Sequence, residues 1–248
     1  MPNEYIPRRI AMWSGPRNIS TAMMRSWGNR PDTVVMDEPF YSFYLKRTGK
    51  EHPLASDVIA HGQTDWRAVV EQLTGAVPPV NSAPIFYQKH MTHHLLPEVD
   101  RQWLDSVTNC FLIRDPQEVI TSYIKRNGDP TAEDVGFVQQ AAIFDWVRDH
   151  SGGTPPVIDA KDILQDPERI LRLLCQVVGV DFSEAMLCWP PGLRDTDGVW
   201  AKYWYAEVAK SSSFQPYTEK HEAVPERLRD VHTKCRACYE RLYSYRLH

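Results

Sequence analysis

Arg17, Glu38, Lys89 and Arg114 each stand at or just beyond the end of a short apolar run, where a strand would hand the chain to a loop or a helix. The first lies in Trp13-Ser14-Gly15-Pro16-Arg17-Asn18-Ile19-Ser20-Thr21, which joins the run at 8–14 to helix-favouring residues from 20 to 27. Backbone N–H groups at a helix start point at whatever lies before it, and the helix dipole adds partial positive charge, so phosphate or sulfate is the natural guest. Arg17 adds a full charge and a planar fork, and Ser20 and Thr21 add hydroxyl donors. Laid from Gly15 on the nucleoside-triphosphatase pattern G-x-x-x-x-G-K-[ST], the segment puts Ser20, Thr21 and Ala22 where the second glycine, the lysine and the magnesium-binding hydroxyl belong. An anion loop lacking those groups suits a transfer that needs no divalent cation. Read as a plain strand-to-helix turn, the same loop leaves Arg17 as a surface residue.

A second segment, Cys110-Phe111-Leu112-Ile113-Arg114-Asp115-Pro116, repeats the design: an apolar run, an arginine at its end, then a helix start with Asp115 as cap and Pro116 at the first position. Ser122 follows Arg114 by eight residues. Taken singly, Arg114 reads as an ion-pair partner and Ser122 as an ordinary helix residue. Together the two segments resemble the PAPS-dependent sulfotransferases, in which Pro-Arg-x-x-Ser-Thr follows the first strand and a later strand ends in Arg-Asp-Pro with a serine eight beyond the arginine.

The resemblance implies a P-loop-type α/β fold and 3'-phosphoadenosine 5'-phosphosulfate (PAPS) as co-substrate. It places the 5'-phosphosulfate on Arg17, Asn18, Ile19, Ser20 and Thr21, and the 3'-phosphate on Arg114 and Ser122. There are departures. Ile19 stands where the family usually has glycine, which implies a different backbone path or less room for the phosphosulfate. Ala22 replaces an adenine-stacking tryptophan, and the carboxyl-terminal Arg-Lys-Gly is missing. Lys210-Ser211-Ser212-Ser213-Phe214 is the nearest substitute, with Lys210 and Ser211 as nucleotide contacts.

Sulfuryl transfer to a hydroxyl or amine needs a base at the acceptor and positive charge at the departing oxygen. Glu38, in Asp37-Glu38-Pro39-Phe40, resembles the catalytic glutamate of some bacterial and carbohydrate sulfotransferases and is the first choice of base; its alternative is a buried ion pair. Lys89-His90-Met91-Thr92-His93-His94 resembles a Lys-Thr-His of cytosolic members in an ambiguous register. Lys89 is thereby the candidate for the leaving oxygen and His90 the second choice of base.

The adjacent His93 and His94 should diverge on either regular backbone, and no other ligand type sits at suitable spacing, so no metal site is expected. Cys235-Arg236-Ala237-Cys238 lacks a second pair and a redox context. Trp200, Tyr203, Trp204 and Tyr205 could stack on adenine or wall an acceptor pocket, but aromatics at helical spacing more often pack a core.

The elements that must position these groups alternate. Runs at 8–14, 33–38, 85–89, 110–113 and 156–159 read as strands; helices are expected at 20–27, 66–73, around Trp103, 118–126, 131–150, 170–178 and 225–245. The fold class expected is α/β: a three-layer, P-loop-like domain with a central, mostly parallel sheet flanked by helices, a single domain over 1–248. The weakly periodic segments 39–64 and 183–224 would serve as substrate wall and lid, and 225–246 would close the chain as a helix. With 28 Lys+Arg against 32 Asp+Glu, the net charge of -4 gives no reason to expect nucleic acid or an anionic membrane surface as partner. No apolar leader or membrane-length run is seen, and five scattered cysteines read as reduced thiols, so a cytoplasmic address is expected. The partner expected is a small-molecule acceptor, with a homo-oligomer left open. Two rivals share the scaffold: a small-metabolite kinase and a non-catalytic nucleotide-binding protein.

Overall fold

Five short runs rich in β-favouring residues form one sheet; four are largely buried on both faces, and the run at 33–37, on an edge, is half-buried up to Asp37. In the computed structural model, which describes residues 7–75 and 84–248, the strands are β1 (Arg8–Ser14), β2 (Thr33–Asp37), β3 (Ile85–Met91), β4 (Thr108–Ile113) and β5 (Val157–Asp159). They lie in the order β2-β3-β1-β4-β5, and every pairing is parallel. Residues 1–6, included above in the reading for a leader, lie outside the described residues.

Alternation along β1 divides the core. Ile10 and Met12 face one layer with Met23, Trp27, Tyr87 and Leu112, while Ala11 and Trp13 face the other with Phe111, Phe144 and Val157. Helices cover both faces: α1 (Ser20–Gly28), α2 (Tyr41–Thr48), α3 (Ala55–His61), α4 (Trp66–Thr74), α5 (Pro116–Asn127), α6 (Phe137–Ser151), α7 (Ala160–Gln165), α8 (Pro167–Val178), the short α9 (Ala201–Trp204) and α10 (Arg229–Tyr243). This is the three-layer α/β architecture expected. Among the described residues no helix is long and apolar enough to cross a membrane.

The capping chemistry sets several boundaries. Asp115 accepts the Gln117 N–H at 2.7 Å with Pro116 at the first helical position, and Asp166 caps α8 in the same way ahead of Pro167. Two boundaries differ from the sequence reading. Segment 39–64 folds into α2 and α3 rather than an irregular loop, because Tyr41, Tyr44 and Leu45 bury one helical face and Ser42 donates to Val58 O at 2.7 Å. Helix α6 begins at Phe137 rather than 131: Asp134 binds the Thr131 N–H and hydroxyl in a local turn, and Gly136 takes a left-handed φ of 74°.

Strand β1 lies between β3 and β4, so the chain changes direction across the sheet at its centre. Ligands of open parallel sheets bind beyond the carboxyl ends of the strands at such a switch point. All four charged positions singled out in the sequence sit at that edge.

Candidate active site

The loop after β1 is compressed from below. A Cβ on Gly15 would meet Val135 O at 2.5 Å, so only glycine lets the 131–136 turn approach. Gln140 ties the same region down, donating to Trp13 O and Leu112 O at 3.0 Å each. The left-handed residue of the loop is Arg17, with φ of 57°, whereas Ile19 has φ of −88° and needs no glycine. Asn18 steadies the turn, accepting the Ile19 N–H at 2.8 Å and donating to Leu112 O at 3.0 Å. No side chain caps α1, which leaves its first-turn N–H groups facing the cavity beside Ser20 and Thr21.

The two arginine segments meet. Arg17 Nε donates to Ser122 Oγ at 2.9 Å, and Arg114 Nη1 donates to Arg17 O at 3.0 Å, while Arg114 also pairs with Glu118 at 2.8 Å. Burial, then the positive charges of Arg126 and Arg114, push the Arg17 guanidinium below its ordinary value. Lys220 is lowered likewise, by burial first and then by Arg114, with Lys125 and Arg17 also repelling it. The cations crowd one another, which is the electrostatic signature of a site that is relieved by an anion.

Across a cavity of about 520 Å³ from Arg17 lies a second cluster. Strand register places Asp37 opposite Lys89, and cross-strand partners share a face, so Lys89 Nζ donates to Asp37 Oδ1 at 2.9 Å. Lys89 also donates to Glu38 Oε1 and, at 2.9 Å, to the Tyr205 hydroxyl. Glu38 leaves the strand with a left-handed φ of 43°, a conformation that costs about 1–3 kcal/mol and turns its carboxylate back toward Lys89. Burial pushes the Glu38 carboxyl up, opposed by Lys89 and reinforced by Asp37; Lys89 itself is held well above the ordinary lysine value by its carboxylates, against burial.

His90 follows Lys89 on a strand and so faces the opposite layer. It is 1% exposed and stacks on Trp13 with ring centroids 4.3 Å apart, and it does not line the cavity. Burial and Lys89 lower it to about 3. The second choice of base is thus corrected: the strand's period of two withholds His90 from any acceptor. Lys210 and Ser211 are also elsewhere. Lys210 is exposed beside Glu207 at 3.8 Å, and Ser211 donates to Val208 O at 2.8 Å, in a local 3-10 turn. The carboxyl-terminal cation near Arg17 and Arg114 is Lys220, placed by Tyr217, whose hydroxyl donates to Glu118 at 2.7 Å.

Sequence reasoning missed Asp37, Arg126 and Lys220, and it named Tyr205 only as part of an aromatic cluster that could wall a pocket, not as a partner of Lys89 and Asp37. Asp37 carried a signal, being next to Glu38 at a strand end; Tyr205 carried only that of its aromatic cluster and Lys220 none, because the loop path brings them in from far along the chain. The expected divergence of His93 and His94 is not found. They lie on a 3-10 turn (Thr92–His94), both line the cavity, and their rings are 4.3 Å apart. Among the described residues no three His, Cys, Asp or Glu side chains cluster to hold a metal ion. The 183–224 segment is largely irregular, as expected. It is anchored by Arg25, whose guanidinium binds Asp197 at 2.5 and 2.6 Å with both side chains buried.

The family model and the solved structures name one class, and the curated relatives carry a different name. The family model described as "Sulfotransferase domain" matches residues 8–239. The chain is 34% identical over 209 residues to branched-chain-amino-acid aminotransferase-like protein 1 of Arabidopsis thaliana, covering 84% of this chain and 37% of that protein. It is 29% identical over 240 residues to the plant's aminotransferase-like protein 2, covering 96% and 42%. It therefore spans about two fifths of the length of these curated relatives. In fold it is similar to a sulfotransferase domain from the olefin synthase of Synechococcus PCC 7002, with TM-score 0.60 and 19% identity over 100% and 98% of the two chains. A sulfotransferase from Alicyclobacillus acidocaldarius gives TM-score 0.58 and 15% identity over 97% of each.

Proposed function

The chain belongs to the sulfotransferase domain family, and from that premise we propose that it moves a sulfuryl group from PAPS to a hydroxyl or amine of a small-molecule acceptor, without a metal. The observation that carries the reading is the direct link between the two arginine segments, with Arg114 bonded to Arg17 O at 3.0 Å and Arg17 to Ser122 at 2.9 Å; Arg17 lines the cavity that Lys89 and Glu38 also line, and Arg114 and Ser122 stand behind Arg17, outside that lining. Crowded cations and an uncapped helix start fit a doubly phosphorylated nucleotide, which brings the sulfuryl group. In this reading Arg17, Ser20 and Thr21 neutralise the 5' side, and Arg114, Ser122, Arg126 and Lys220 hold the 3'-phosphate.

Glu38 is the base. Its Oε1 is taken by Lys89, and its Oε2 makes no hydrogen bond among the described residues; His94 Nδ1 lies 3.9 Å from it. The acceptor proton passes to that open oxygen while an N–H of Lys89 compensates charge on the oxygen that leaves. Five free thiols support a cytoplasmic address.

Incubating the protein with PAPS, an acceptor panel and a chelator, and following sulfated product by mass spectrometry, tests the reading. Glu38→Gln should lower turnover by about 10²–10⁴-fold while adenosine 3',5'-bisphosphate still raises the melting temperature. Stabilisation by ATP with magnesium but not by the bisphosphate would overturn it in favour of a kinase.

A further inference from the structure

Lysine has three N–H donors and no acceptor, and a tyrosine hydroxyl has one donor and two lone pairs. Counting them in the buried cluster leaves no side-chain donor of Lys89 or Tyr205 to spare. Lys89 gives one N–H each to Asp37, Glu38 and Tyr205. The Tyr205 hydroxyl takes that N–H and the Trp200 indole N–H at 3.2 Å, and points its own proton at Asp37, whose two oxygens lie 2.9 and 2.7 Å away. Asp37 is completed by the Gly198 N–H at 3.3 Å. Of the four carboxylate oxygens in the cluster, Glu38 Oε2 is the one that accepts no hydrogen bond among the described residues.

We propose that Asp37 and Tyr205 are positioning residues for the base: they occupy two of Lys89's three N–H groups, so that a single N–H holds Glu38 by one oxygen and leaves the other turned to the acceptor. The inference rests on the reading of Glu38 as base. It gives the 183–224 segment a definite part, since Trp200, Tyr205 and Gly198 all come from it, and the Arg25–Asp197 pair fastens it next to Gly198. Asp37 has a second effect. Its negative charge, on the neighbouring residue and in the same buried pocket, opposes ionisation of Glu38 and makes it a stronger base.

The groups facing Glu38 are few: Asp37 from β2, Lys89 from β3, His94 from the turn after it, Tyr41 from α2, and Tyr205. Burial and neighbouring positive charges hold His94 well below the ordinary histidine value, and Tyr41 and Tyr205 are raised above the ordinary tyrosine value.

The test is a carbon-13 NMR titration of the Glu38 carboxyl in the full chain, assigned by its loss in Glu38→Gln. Asp37→Asn should move its midpoint down by about one pH unit or more, because a like charge is removed and Lys89 no longer shares its charge with a second carboxylate. A midpoint that stays or rises overturns the proposal. Tyr205→Phe, which removes a hydroxyl and little volume, supplies an independent arm. The Lys89 ammonium proton signal, assigned by its loss in Lys89→Met and protected from solvent exchange in the parent protein, should vanish through exchange in Tyr205→Phe, and its survival overturns Tyr205's part. Both readouts are independent of turnover. Failure of the sulfotransferase reading would instead show as absent bisphosphate stabilisation in the parent protein.

Discussion

Replacing Lys89 by methionine removes one cation from between two carboxylates and fills its volume with an apolar chain of similar length. Lys89 and Asp37 side chains are each 1% exposed and Glu38 is 11% exposed, so water cannot replace the lost partner. Breaking a buried pair in this way costs about 3–5 kcal/mol, because the remaining charge stays buried and unpaired. For a chain of 248 residues about 2–4 °C of melting temperature is lost per kcal/mol, so the variant should melt roughly 6–20 °C lower at neutral pH. The deficit should depend on pH in one direction. Glu38 already holds its proton more tightly in the folded state than an ordinary carboxyl, and Lys89 is its chief counterweight. Without Lys89 the folded value rises further. Stability is then lost as pH climbs from the unfolded carboxyl value, about 4.3, toward the folded one, and is recovered on acidification as the carboxyl takes up a proton. Urea denaturation at pH 7.5 and pH 5 measures both points. A deficit under about 1 kcal/mol at pH 7.5, or one that grows as pH falls, would refute the buried-pair argument.

Two further expectations test other parts of the molecule. Arg17→Gln should weaken adenosine 3',5'-bisphosphate by about 10–100-fold in isothermal titration calorimetry without magnesium, since a charged hydrogen bond is worth about 1.5–3 kcal/mol, and an unchanged affinity would remove Arg17 from the site. Asp159, buried beneath the Tyr239 hydroxyl at 3.0 Å and capping α7, is raised by burial to about 6. Its ionisation therefore costs stability as pH rises from about 4 to 6, so Asp159→Asn, which can keep the cap, should gain roughly 1–3 kcal/mol above pH 6 and no advantage near pH 4 in chemical denaturation.

Several features were legible from residue order alone, because they depend on neighbours within a turn or a strand. Burial on both faces makes the strands continuous apolar runs, and Asp115-Pro116 and Asp166-Pro167 write their own helix starts. The two arginine segments are local patterns as well, as is the Asp37-Glu38-Pro39 strand end. The division of 39–64 into α2 and α3 escaped because a short helix has little propensity of its own and forms when Tyr41, Tyr44 and Leu45 find a core to enter.

What tertiary structure alone decided was which of these patterns touch. Strand order put β1 between β3 and β4, and so set Arg17 beside Ser122, residues 105 positions apart in sequence. Register put Lys89 across from Asp37 and sent His90 to the far layer, a choice that a single-residue slip would have reversed and that Lys89-His90-Met91 leaves undetermined. The long 183–224 segment then delivered Tyr205 to Asp37 across 168 positions, guided by the buried Arg25–Asp197 pair rather than by any periodicity of its own. Local spacing fixes φ, ψ and the face a side chain takes. Meetings between distant strand ends depend on how the whole sheet buries its two faces at once, and that information is spread over the chain rather than held in any motif.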